Sequence, residues 1–134
     1  MAVNPLLLDI VAFLVTHSNV TGDGVDAFRD FTPEEPDNIV VIHEYKGDPA
    51  SLYDDAVHRS VQISVRNKKA DVARQKALEI FKTFRDAQNE DGKVILTTER
   101  WGQVYLRQPP FFLKRDENSR TLYAFNIGIT TTIE

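Results

Sequence analysis

Between residues 57 and 88 the chain changes its hydrophobic period. Val61, Ile63 and Val65 alternate with Ser60, Gln62, Ser64 and Arg66. This predicts a strand over residues 57–66 with one apolar and one polar face. Ala73, Ala77, Ile80, Phe81 and Phe84 then recur at helical spacing. They predict a helix from residue 69 or 70 to 88, with a stop at Asn89 to Gly92.

Upstream, Asn4-Pro5 is a helix start, since Asn caps free amides and Pro suits the first turn. The predicted helix runs from 5 to 16 or 17. Leu7, Ile10, Val11 and Leu14 make its core stripe, and Leu6, Leu8, Phe13 and Val15 add apolar surface elsewhere. A helix this apolar is covered on more than one side. Two readings stay open: it lies inside the domain core, or its second side packs on a neighbouring subunit. Residues 18–38 are rich in turn formers, with Val25, Phe28 and Phe31 pinning them to the body and a short strand near 25–28. The β-branched run 39–42 predicts a strand buried on both faces.

A loop over residues 46–56 follows, with Gly47, Asp48 and Pro49 as its turn signal and Leu52, Tyr53, Asp54 and Asp55 along it. Beyond the second helix the chain is β-rich. Strands are predicted over 93–98, 103–107, 111–115 and 121–133, the last two flanking the turn Asp116-Glu117-Asn118-Ser119. In the last strand Tyr123, Phe125, Ile127 and Ile129 share a face. The pattern shows no repeat and no linker. It predicts one α+β domain over residues 1–134, a mixed or mainly antiparallel sheet of about five or six strands with two helices on one face.

Composition narrows the function classes. The 134 residues carry a net charge of −4, which argues against bulk attraction to nucleic acid or an anionic membrane. There are no cysteines, so disulfides, thiolate catalysis and cysteine metal sites are excluded. The apolar run 6–15 is too short to span a bilayer, and no Lys or Arg precedes it as in a secretory signal. The expectation is a protein that stays where it is made.

No catalytic constellation is legible. His17, His43 and His58 are scattered without metal-ligand spacing, and a pairing of His58 with Asp54 or Asp55 is the nearest approach to one. No serine sits in a nucleophile elbow, and Gly22-Asp23-Gly24 is too short to cradle a phosphate. The expectation is a non-enzyme without metal or cofactor. The rival class is a small α+β enzyme or ligand-binding domain with a site assembled in space.

Charge is distributed unevenly. Arg66, Lys68, Lys69, Arg74 and Lys76 cluster at the start of the second helix, where positive charge opposes the helix dipole. Asp23, Asp26, Asp30, Glu34, Glu35 and Asp37 face only Arg29 in their own segment. The basic cluster reads as a solvated surface, a nucleic-acid contact, or half of a head-to-tail association with the acidic segment, a contact that closes into a ring when the rotation fits.

The helix NPLLLDIVAFLV, the strand NIVVIHEY, the unit HRSVQISVRNKKADVARQKALEIF and the C-terminal TLYAFNIGITTTIE occur in this order in a chain of this length. Together they resemble the tail completion proteins of long-tailed bacteriophages, also called tail terminators, tail-to-head joining proteins or minor capsid proteins. Within these the likeness is to the tail-to-head joining proteins of Bacillus siphophages. The resemblance covers most of the chain. It implies structural work without catalytic residues: a ring, usually a hexamer, that caps the head-proximal end of the tail tube and then meets the connector or stopper protein of the DNA-filled head. It places the protein in the virion tail, and in the host cytoplasm during assembly, with DNA passing through the ring. A head-completion or stopper subunit is the neighbouring alternative. The candidate interface residues are Tyr53, Asp54 and Asp55 on the loop, Gln62 and Arg66 on the polar strand face, and Lys68, Lys69 and Arg74 at the helix start.

Overall fold

Two long strands lie at the centre of the sheet, and every other element is placed by them. A computed structural model describes residues 5–45, 56–89, 93–97 and 100–132. The elements in chain order are α1 (Pro5–His17), β1 (Ala27–Arg29), β2 (Ile39–Tyr45), β3 (Ala56–Asn67), α2 (Ala70–Ala87), β4 (Lys93–Thr97), β5 (Arg100–Leu106), β6 (Phe111–Arg115) and β7 (Thr121–Thr132). β3 and β7 pair antiparallel along their whole length, from Ala56 opposite Thr132 to Asn67 opposite Thr121.

β2 adds antiparallel to the free side of β3, and β1 joins β2 in parallel. The far side of β7 is shared. β6 pairs with its first half and β5 with its second, and β4 closes that edge on β5. The result is a seven-stranded mixed sheet in the order β1-β2-β3-β7-β5-β4, with β6 beside β7. The α+β class read from the sequence holds. The short strand read near 25–28 is present as β1, shifted to Ala27–Arg29, and counting it brings the sheet to seven strands rather than five or six.

Strand alternation sorts the two faces. Val61, Ile63 and Val65 align with Ile127, Phe125 and Tyr123 on β7 and, in part, with Ile42 and Val40 on β2. This face carries both helices. Leu6, Leu7, Ile10, Val11, Phe13 and Leu14 of α1 and Ala77, Ile80 and Phe84 of α2 share one core with it. The rings of Phe13 and Phe84 stack at 5.0 Å, and Phe81 meets Phe125 edge-on. Such aromatic pairs add about 0.5–1.5 kcal/mol beyond the area they bury.

α1 is buried on the predicted stripe and also at Leu6 and Phe13, while Leu8 and Val15 are exposed. The 39–42 run is buried at every position because both of its faces are used. Val40 and Ile42 enter the helix-side core, and Ile39 and Val41 meet Phe28 in a second small cluster on the opposite face. The Asn4 cap and the 46–55 loop lie outside the described residues.

Candidate assembly interface

The face without helices carries the short polar side chains of β3 and β7. Gln62 Nε2 donates to Asn126 Oδ1 at 3.2 Å, and His58 Nδ1 and Thr130 Oγ1 are 2.6 Å apart. At one end of this face, residues 30–38 cross from β1 to β2. Two buried arginines hold this crossing in place. Arg66, 2 % exposed, projects from β3; Arg120, 3 % exposed, precedes β7.

Arg66 spends its guanidinium on backbone oxygens. Nε donates to Asp37 O at 3.1 Å, Nη1 to Pro33 O at 2.8 Å, and Nη2 to Pro36 O at 2.6 Å and Glu34 O at 3.3 Å. Arg120 donates from Nη1 to Glu34 O at 2.5 Å and to the Asp37 carboxylate at 3.3 Å, and from Nε to Asp116 at 2.8 Å. Asn118 in the β6–β7 turn donates to Glu34 Oε1 at 2.6 Å. A segment without regular hydrogen bonding is thus tied to two strands and a turn, and its backbone acceptors are satisfied by charged donors.

The electrostatics follow from this packing. Burial and the neighbouring Arg120 charge lower the Arg66 pKa, opposed by Asp116, Asp37 and Glu34, and the guanidinium stays charged. Burial pushes the Asp116 carboxyl up, but hydrogen bonds from the Arg120 backbone and side chain and from Asn118 N outweigh it and hold the pKa below the usual value. At the outer corner, Arg29 donates to both Asp23 oxygens at 2.8 and 2.9 Å, and this bond lowers the Asp23 pKa against the effect of burial.

The sequence-predicted interface residues separate into groups. Gln62 is half-buried on the open face. Arg66 lies on the polar side of β3, as alternation requires, but it is covered by residues 33–37 and has no outward guanidinium. It is a clamp for that segment, which corrects its reading as a surface contact. Lys68 is exposed and pairs with Asp37 at 3.2 Å. Lys69 and Arg74 are exposed, with no side-chain partner among the described residues. Tyr53, Asp54 and Asp55 lie outside the described residues.

The acidic segment does not face Arg29 alone; Arg66, Arg120 and Lys68 also meet it. Its Asp37 end thus reaches Lys68, which precedes α2 in the same chain. Arg120 and Asp116 were missed by sequence reasoning. The signal available was a charged residue at each end of a predicted hairpin turn, four positions apart.

No group of three or more His, Cys, Asp or Glu side chains is placed to hold a metal among the described residues. None of their helices is long and apolar enough to cross a membrane. Fold and surface define an α+β scaffold domain: one sheet face is consumed by its own helices, and the other carries a clamped acidic crossing and a polar floor.

Family comparison makes this class specific. The profile of the bacteriophage tail terminator protein family matches residues 14–133, and the chain belongs to that family. Its role is accordingly structural, in assembly of the phage tail, and its place is the tail of the virion. Comparison with curated protein sequences found no match.

Proposed function

We propose that this protein caps the head-proximal end of the finished tail tube as a ring, hexameric when assembled, and then joins the tail to the connector or stopper protein of the DNA-filled head. The observation that carries this reading is the tail terminator match over residues 14–133. The sequence likeness to the tail-to-head joining proteins of Bacillus siphophages supports a long-tailed phage setting. Assembly takes place in the host cytoplasm, and the finished protein sits at the head–tail junction.

The physical chemistry supports work by docking. The sheet has one face packed by helices and one open, so contacts can form without disturbing the core. Lys69 and Arg74 leave positive charge exposed at the α2 start, available to an acidic partner surface. A net charge of −4 keeps DNA from adhering as it passes through a ring.

The test is complementation of phage lacking this protein. Purified tails from such phage, given the protein, gain a terminal ring in negative-stain micrographs and attach to DNA-filled heads. Normal head-to-tail joining in its absence overturns the proposal. Binding to heads rather than to tails assigns it instead to the stopper position.

A further inference from the structure

One end of the sheet carries a knob on one side and a hole on the other. The knob is Phe31. It is 60 % exposed and touches the ring of Phe28 edge-on at 5.6 Å. Phe28 lies opposite Val41 and clusters with Ile39 and Val41 on the face without helices, which puts Phe31 on that side. Asp30, Glu34 and Glu35 surround it in sequence and are exposed. The clamp by Arg66 and Arg120 fixes the backbone immediately beyond it, so little ordering is left for a docking event.

The hole opens on the helix side, between the start of α2 and the ends of β2 and β3. It holds about 160 Å³; Ile39, Val40, Val65 and Val72 supply its apolar lining, and Asp26, Asn38, Arg66, Asn67 and Lys76 its polar lining. A cavity of about 150 Å³ with aliphatic walls accommodates a benzene ring. Val72 is 44 % exposed at its mouth. Lys69, at the N-cap of α2 three residues before Val72, is exposed at this end of the helix. Asp26 is already held by the amides of Thr21 and Gly22, and Lys76 Nζ donates to Asn19 O.

We infer that Phe31 of one copy inserts into the Val72 pocket of the next, with Glu35 meeting Lys69 at the rim. The aromatic side chain and the pocket match in size, and Glu35 near the one is opposite in charge to Lys69 near the other. Within one chain the two lie on opposite sides of the β1–β2 edge, so the occupant is a second copy. A contact between different patches repeats head to tail and closes into a ring when the rotation fits. The inference rests on the ring reading above and names the contact that builds it.

The chain has no cysteine, so introduced thiols report cleanly. F31C and V72C chains are mixed, assembled on tail tubes and oxidised. The expected product is a disulfide dimer that requires both variants, and a ladder up to the full ring from the double variant. Phe31→Ala weakens assembly by roughly thirtyfold, as for a buried interface aromatic. Glu35→Lys weakens it as well, and adding Lys69→Glu restores it; both are surface changes that leave the core intact. Rings on tubes without the cross-link overturn this contact and leave the ring standing. Absence of any ring on tubes with the unmodified protein overturns both.

Discussion

Arg66→Met removes the clamp while keeping much of the side-chain volume. Four hydrogen bonds from the guanidinium to the carbonyls of residues 33–37 are lost. At a net 0.5–1.5 kcal/mol each, these amount to about 2–6 kcal/mol. Two effects reduce the cost. The freed carbonyls lie near the surface and can take water, and the repulsion between Arg66 and Arg120 disappears. The expected loss is therefore about 3 kcal/mol, in the lower half of that range. For a chain of this size 1 kcal/mol moves Tm by about 4 °C, so the variant melts about 12 °C lower.

Arg66→Lys keeps the charge but places one compact ammonium where a planar fork spans four acceptors, so it recovers little. The assay is thermal unfolding by circular dichroism, paired with amide hydrogen exchange. Exchange accelerates first in residues 31–38 and leaves β3 and β7 protected. A methionine variant within about 0.5 kcal/mol of the parent, with unchanged exchange in that segment, refutes the clamp.

Other expectations follow from single observations. Phe84 is fully buried against Phe13, so Phe84→Ala costs about 3–5 kcal/mol in urea unfolding; a loss below about 1 kcal/mol contradicts the core assignment. Gly102 and Gly128 respond differently to alanine. A Cβ at Gly102 lies 2.8 Å from Cγ2 of buried Ile129, so Gly102→Ala destabilises by about 1–3 kcal/mol. At Gly128 the obstacle is the mobile end of Arg107, which swings aside, and the cost stays below about 1 kcal/mol; equal melting of the two variants rejects the contrast. Asp116 and Asp23 have folded pKa values below their unfolded ones. Their stabilisation is complete above the unfolded value of about 3.9 and is lost as pH falls through the folded values. Urea midpoints thus hold steady down to about pH 5 and fall below about pH 4, less steeply in Asp116→Asn.

The helices and long strands were legible because each carries its own period. Ala73, Ala77, Ile80 and Phe84 give α2, and Val61, Ile63 and Val65 give β3, without reference to distant residues. The burial of 39–42 was legible from the opposite signal, an unbroken β-branched run with no polar alternation. The clamp was not, because Arg66 meets residues about thirty positions upstream in sequence and Arg120 meets them from the other end of the chain. Alternation placed Arg66 on the correct side of β3 but carries no information about what folds over that side. The positions of Leu8 and Val15 show a related limit: a helix apolar all round does not declare which flank its neighbours leave uncovered.

The central claim is that this chain works as a ring on the end of a tail tube. Light scattering tests it most directly, with the mass measured for the protein alone, for tail tubes lacking it, and for the mixture after removal of excess protein. The account predicts that each tube gains the mass of one ring and that further protein adds nothing once that end is filled. A tube mass unchanged by the protein, or one that rises without limit along the tube wall, contradicts it.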